Sequence, residues 1–313
     1  MNAKRRKIKA SGIIAIILFL CVVALAISIL IKFLNFNSDN EPEQKQETVE
    51  NYIDTPEQNE PVDTNVEPEE PEAPELPHVV EEIPEISMNA PKPLYTQEEL
   101  LSMYPDTVLK SSEDAGEEYI DKIYFVGDST THGLKYYGVL KDGKDTAKVW
   151  TPRSGTLAMW NLLSEKVVLP DNETEATIPE AVSYKKPEMM VITLGVNGVS
   201  SCSKEQFTGY YVDLIEEIKK ASPDTKILLQ TIYPVCSDYE YVNSISMEKI
   251  NTANSWIAEI ADNNGCYFLN TTSILVDETG YLNPTYSNGD GIHISPEGFG
   301  VILDYIRTHA YLG

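Results

Sequence analysis

Residues 123–129 read Ile-Tyr-Phe-Val-Gly-Asp-Ser. Four apolar residues in a row, stopped by glycine, predict a short strand buried on both faces. The pattern recurs. Met189-Met190-Val191-Ile192-Thr193-Leu194 stops at Gly195, Ile227-Leu228-Leu229-Gln230-Thr231-Ile232 ends near Pro234, and Cys266-Tyr267-Phe268-Leu269 is a further run. Lys148-Val149-Trp150-Thr151 is a weaker one. Continuous rather than alternating hydrophobicity suits a parallel sheet covered on both sides.

Helices are expected between these strands. Ser203 with Gln206 forms a capping-box pattern, and Phe207, Tyr211, Leu214, Ile215 and Ile218 share one helical face before Ser222-Pro223. Ile250, Ala253, Ile257, Ile260 and Ala261 mark a second helix, closed by Gly265. Ser295-Pro296 reads as an N-cap with proline in the first turn, followed by the stripe Phe299, Ile302, Leu303 and Ile306. Strand–helix alternation over this length predicts a doubly wound α/β sandwich. In such sheets ligands bind beyond the carboxyl ends of the strands.

Outside this region the composition changes sharply. The chain has 313 residues and a formal net charge of −25, from 24 Lys and Arg against 49 Asp and Glu. Lys4, Arg5, Arg6, Lys7 and Lys9 precede an apolar run from Gly12 to Ile31, interrupted by Lys32 and continued by Phe33 and Leu34. About 20 apolar residues suffice to span a bilayer as a helix, and the excess of basic residues before the run places residues 1–11 in the cytoplasm. Ala24-Leu25-Ala26 resembles a signal-peptide cleavage site, but it lies inside an apolar run longer than a signal-peptide core. The expectation is an uncleaved single-pass anchor over residues 12–34 in the cell membrane, with the C-terminal domain outside the cytoplasm.

Residues 35–90 hold 17 Asp and Glu against one Lys, net −16, punctuated by eight prolines. Such a segment buries too little apolar surface to offset its ordering entropy and reads as an extended, disordered stalk. Residues 91–313 keep 32 acidic and 17 basic residues, net −15. An acidic domain lacks the clustered cations that coat nucleic acid, and it disfavours polyanionic substrates. No CxxC or HExxH pattern suggests a zinc site. Cys202, Cys236 and Cys266 leave at least one thiol unpaired within the domain, and a Cys202–Cys236 disulfide is open.

Several residues at the predicted strand ends carry chemistry. Ser129 falls where the first strand turns into a helix, whose N-terminal N–H groups favour developing negative charge. Asn197, in Gly195-Val196-Asn197-Gly198, is placed to aim an amide N–H at an oxyanion. Gly155, in Arg153-Ser154-Gly155-Thr156, offers a backbone N–H. Asp290 stands three residues before His293, close enough to hold the Nδ1–H of the imidazole across a tight turn. Each has a plainer reading alone: a helix cap, a turn asparagine, a turn glycine, a loop histidine. His132, three residues after Ser129, competes as a pocket-lining group or base but lacks a locally paired carboxylate. His309 lies in the last turn of the final helix, where the dipole favours a cation, and reads as structural.

Taken together, Gly127-Asp128-Ser129, Gly155, Gly195-Val196-Asn197 and the Asp-x-x-His of Asp290–His293 resemble the four blocks of the SGNH (GDSL-like) hydrolase family over about residues 119–311. The first block lacks the Leu of the namesake motif, and the third reads Asn-Gly rather than Asn-Asp. The resemblance implies a three-layer, flavodoxin-like α/β/α sandwich. It implies Ser129 as nucleophile, His293 as general base and acid, and Asp290 as its orienter. It also implies an oxyanion hole of the Ser129 and Gly155 N–H groups with the Asn197 side chain, and no metal or organic cofactor. The expected activity is that of a serine esterase removing O-acyl groups, acetyl foremost, from envelope polysaccharide. The alternatives are a lipid esterase, an O-acyltransferase, or a glycan-binding module on the same fold.

Overall fold

The computed structural model describes residues 90–313. The expected cytoplasmic segment 1–11, anchor 12–34 and, up to residue 89, the stalk lie outside the described residues. Among the described residues no helix is long and apolar enough to cross a membrane.

Five parallel strands form the central sheet: β1 (Ile123–Gly127), β2 (Val149–Trp150), β5 (Met189–Thr193), β6 (Lys226–Gln230) and β7 (Tyr267–Leu269), in the order β2-β1-β5-β6-β7. Their apolar runs alternate between two cores, as the pleat requires. Val126, Met190, Ile192, Ile227, Leu229 and Phe268 pack on one side, and Ile123, Phe125, Met189, Val191, Leu228 and Leu269 on the other. The first side is covered by α4 (Ile178–Lys185), α5 (Lys204–Ala221) and α6 (Met247–Asn263). The second is covered by the short α2 (Glu117–Ile120) and α7 (Thr272–Leu275), with α3 (Ser129–Tyr136) and α8 (Pro296–Thr308). This is the expected three-layer α/β/α sandwich.

The caps also form as read. Ser203 and Gln206 complete a capping box on α5, Ser295 accepts from the Gly298 N–H at 3.2 Å, and Gly265 adopts a φ of 55° just past α6.

Two parts were not anticipated. An antiparallel hairpin, β3 (Lys166–Leu169) and β4 (Thr174–Thr177), leads into α4. The Val168 N–H donates to the Thr151 carbonyl at 2.9 Å, so the hairpin shields the β2 edge. At the opposite edge, residues after α1 (Gln97–Met103) bridge to β7. Leu109 N–H donates to the Phe268 carbonyl at 3.0 Å, and Phe268 N–H to that of Thr107 at 2.9 Å. Both sheet edges are thus closed within the domain.

Strand order reverses between β1 and β5, which pair in register from Ile123↔Met189 to Gly127↔Thr193. The chain therefore leaves both strands side by side at the topological switch point, where α/β sheets open a crevice.

Candidate active site

β1 ends at Gly127, and Asp128 caps α3: its Oδ1 accepts from the Thr130 N–H at 3.0 Å and the Thr130 hydroxyl at 2.7 Å. Ser129 is the first residue of that helix. The last link before α8 brings the partner. His293 Nε2 lies 2.9 Å from Ser129 Oγ, and His293 Nδ1 lies 2.6 Å from Asp290 Oδ2. The other carboxylate oxygen of Asp290 accepts from the N–H groups of Ile292 at 3.0 Å and His293 at 2.9 Å. Partial burial works to raise the Asp290 pKa, but those N–H groups and the imidazole outweigh it and hold the carboxyl down at about 2. An ionised carboxylate only accepts, so Nδ1 of His293 carries the proton and Nε2 presents its lone pair to the serine hydroxyl.

The loop bearing this pair is itself pinned. Asn288 N–H donates to the His293 carbonyl at 2.9 Å, Ser295 N–H to that of Tyr286 at 2.7 Å, and Cys236 N–H to that of Gly291 at 2.8 Å.

Asn197 arrives from β5. The buried Tyr211 hydroxyl of α5 donates to the Leu194 carbonyl at 2.8 Å, and the Gly195 carbonyl accepts from the N–H groups of Gly198 at 2.8 Å and Val199 at 3.0 Å. In this turn a Cβ on Gly198 would lie 2.2 Å from Met159 Cγ. Close packing therefore accounts for glycine after Asn197, where the family pattern has Asp.

Asn197 Nδ2 donates to Asp128 Oδ2 at 3.0 Å. Asp128 is 1% exposed. Burial pushes its pKa up to about 6, against the opposing pull of the Thr130 hydroxyl and N–H, the His293 charge and the Asn197 amide. In the sequence Asp128 stands out only as the middle residue of Gly127-Asp128-Ser129. Its position beside Ser129 was the available signal; its link to Asn197 spans 69 residues.

Two N–H donors at this turn have no acceptor among the described residues. One is the Ser129 N–H, which at the first helical position has no intrahelical acceptor. The other is the second N–H of Asn197 Nδ2. Gly155 is a correction. It does sit against the serine, with a would-be Cβ 3.5 Å from Ser129 Cβ, but its N–H donates to the Pro152 carbonyl at 3.0 Å and closes a turn.

The competing histidines resolve. His132 Nδ1 pairs with Thr151 Oγ1 at 3.2 Å, not with Ser129. His309 is structural, as expected, stacking on Tyr305 with centroids 3.8 Å apart and pairing with its carbonyl at 3.0 Å. Desolvation lowers its pKa, which works against the cation expected at the helix end. Among the described residues Cys202, Cys236 and Cys266 are unpaired, so the structure contains no Cys202–Cys236 disulfide. Among the described residues no cluster of three His, Cys, Asp or Glu is arranged to hold a metal ion.

Beside Ser129 opens a cleft of about 330 Å³, bordered by His132, Gly133, Tyr136, Asn288 and His293. A second cavity of about 260 Å³ lies beneath residues 91–97, and none of Ser129, His293, Asp290 or Asn197 lines it.

Comparison with known proteins sets this geometry in a family. A GDSL-like lipase of Bacteroides thetaiotaomicron is similar at 19% identity, with 68% of this chain and 95% of that one covered and a TM-score of 0.46. A carbohydrate esterase family 3 structure from Talaromyces cellulolyticus is similar at 17% identity, with 59% and 93% covered and a TM-score of 0.38. No curated protein matches the chain. Residues 125–301, more than half of the 313, match the model of the GDSL-like Lipase/Acylhydrolase family. The chain belongs to that family and is, with it, a hydrolase of ester bonds.

Proposed function

We propose that the domain is a serine esterase that removes O-acyl groups, acetyl foremost, from envelope polysaccharide outside the membrane. The observation that carries the mechanism is the unbroken pair of hydrogen bonds from Asp290 through His293 to Ser129 Oγ. Ser129 Oγ attacks the ester carbonyl as its proton passes to His293 Nε2. Asp290 stabilises the imidazolium that results. The oxyanion is met by the Ser129 N–H and the Asn197 amide. His293 then protonates the leaving alcohol, and water, activated by the same ring, releases the acyl group. The net −15 charge of residues 91–313 favours a neutral acyl sugar over a polyanion. The apolar run 12–34 and the acidic, proline-rich stretch 35–90 support a tether that holds the domain near envelope polymers.

The test is labelling of residues 91–313 by a fluorophosphonate probe, alongside Ser129→Ala, with turnover of a small acetyl ester. Labelling and turnover by wild type alone are expected. Turnover at the wild-type rate by purified Ser129→Ala would sink the mechanism. For the tether, the full chain is expected to stay with membranes through alkaline extraction, and its release would remove that part of the proposal.

A further inference from the structure

The geometry points to a specificity site: the cleft beside Ser129 receives the alcohol half of the ester, and that alcohol is a sugar stacked on Tyr136 and hydrogen-bonded by His132 and Asn288. This rests on the esterase reading above and goes further, since it assigns a side of the site and the residues that select the substrate.

The side follows from the direction of proton transfer. In the tetrahedral adduct on Ser129 Oγ, the oxyanion turns toward the Ser129 N–H and Asn197. The leaving oxygen must lie within reach of His293 Nε2, which returns the proton to it. The cleft is bordered by His293 and Ser129 but not by Asn197 or Gly155. It therefore opens on the leaving-group side.

The chemistry follows from the lining. Ser129, His132, Gly133 and Tyr136 are spaced i, i+3, i+4 and i+7, so α3 turns one face to the cleft. Tyr136 is 60% exposed, yet its ring is held edge-on by Tyr137 at 4.9 Å, with Lys144 Nζ 5.4 Å from its centroid. A solvent-facing aromatic packed against a neighbouring ring offers an apolar platform. His132 is held through Nδ1 by Thr151, which leaves Nε2 for a ligand. Asn288 uses Oδ1 to accept the Asp290 N–H at 3.0 Å, which leaves its Nδ2 donors. An exposed aromatic face, with Tyr137 and Ile294 also on the wall and single polar groups beside it, matches a pyranose, whose C–H face is apolar and whose edge is hydroxyls. A fatty alcohol would need a continuous apolar wall, which His132 and Asn288 interrupt.

The experiment compares esters that share an acetyl group and differ only in the alcohol: mono-O-acetylated glycosides of glucose, N-acetylglucosamine and xylose, ethyl acetate, and octyl acetate. Wild type should give a higher kcat/KM on at least one sugar acetate than on ethyl or octyl acetate. Tyr136→Ala should lower the sugar-to-ethyl ratio about tenfold, the worth of one aromatic contact, mainly through KM. Tyr136→Trp should restore it. His132→Ala and Asn288→Ala should each lower the ratio several-fold. A ratio unchanged in Tyr136→Ala, or a wild-type preference for octyl acetate, overturns the sugar site while leaving the esterase intact. Absence of both ethyl acetate turnover and Ser129 labelling overturns the esterase reading and this site with it.

Discussion

Asp128→Asn separates a positioning role from a structural one. The carboxylate accepts three hydrogen bonds, from the Thr130 N–H and hydroxyl on Oδ1 and from Asn197 Nδ2 on Oδ2. Because a carboxylate has no proton to give, it forces the nitrogen of Asn197 toward itself and so, in the proposed mechanism, leaves the second N–H for the oxyanion. Asparagine keeps the volume and can still serve Thr130, but its NH₂ would then face the Asn197 NH₂ at 3.0 Å. The relief is a flip of the Asn197 amide, which turns a carbonyl oxygen toward the developing negative charge. Losing one such donor costs about 10²–10³ in kcat, or roughly 2.7–4 kcal/mol. KM should barely move, because the interaction is made in the transition state.

Stability should move the other way. The folded pKa of Asp128 is about 6 against 3.8 for the free group, so its contribution is fully present below about pH 4 and lost as pH rises through 6. At neutral pH the buried charge costs on the order of 3 kcal/mol, which a neutral amide removes. The variant should therefore be slowed in kcat yet at least as heat-stable as wild type at pH 7. The assay is kcat and KM on a small acetyl ester with Tm for Asp128→Asn, Asn197→Ala and the double variant. The double should lose little more than either single, since both remove one donor. Wild-type kcat in Asp128→Asn, or fully additive losses, would refute the reasoning.

Asp290→Asn should leave His293 in the wrong tautomer and lower kcat by up to about 10⁴. Since the Asp290 pKa falls from 3.8 to about 2 on folding, its stabilisation is present above about pH 4 and is lost as pH drops through 2. Acid unfolding curves of the variant should lack that loss; superimposable curves would deny it. Gly133→Ala places a Cβ 2.4 Å from the buried ring of Phe299. Pushing α8 off α3 should cost about 1–3 kcal/mol, lower Tm by several degrees and reduce kcat by drawing His293 from Ser129. Unchanged Tm and kcat would mean the helices yield freely. Tyr211→Phe removes the 2.8 Å bond to the Leu194 carbonyl and should cost about 1 kcal/mol in a denaturant midpoint, with a smaller loss of kcat. A midpoint equal to wild type would discount that bond.

The sheet was legible because a strand covered on both faces must be apolar at every position, and such runs stand out in a polar chain. The hairpin was not. Thr174-Glu-Ala-Thr is polar because β4 is half-exposed, and Lys166-Val-Val-Leu is too short to show a period. The first helix carries a local signal of its own: Thr96 and Glu99 form a capping box, with mutual bonds of 3.2 and 2.8 Å. Ser129, Asn197, Asp290 and His293 could be found because each stands at a strand end or helix start, and the switch-point rule says that such ends converge.

What sequence cannot carry is the partner of a given atom. Gly155 was placed correctly beside Ser129, yet whether its N–H faces the oxyanion depends on one carbonyl, that of Pro152, three residues away. Asp128 is the reverse case. Its own identity is visible, but its purpose lies in Asn197, on another strand. A carboxylate with 1% exposure and no cation among its hydrogen-bond partners is costly to bury. The arrangement makes sense if the cost holds the Asn197 amide in one of its two orientations, and the Asp128→Asn and Asn197→Ala cycle tests that exchange of stability for a preorganised donor.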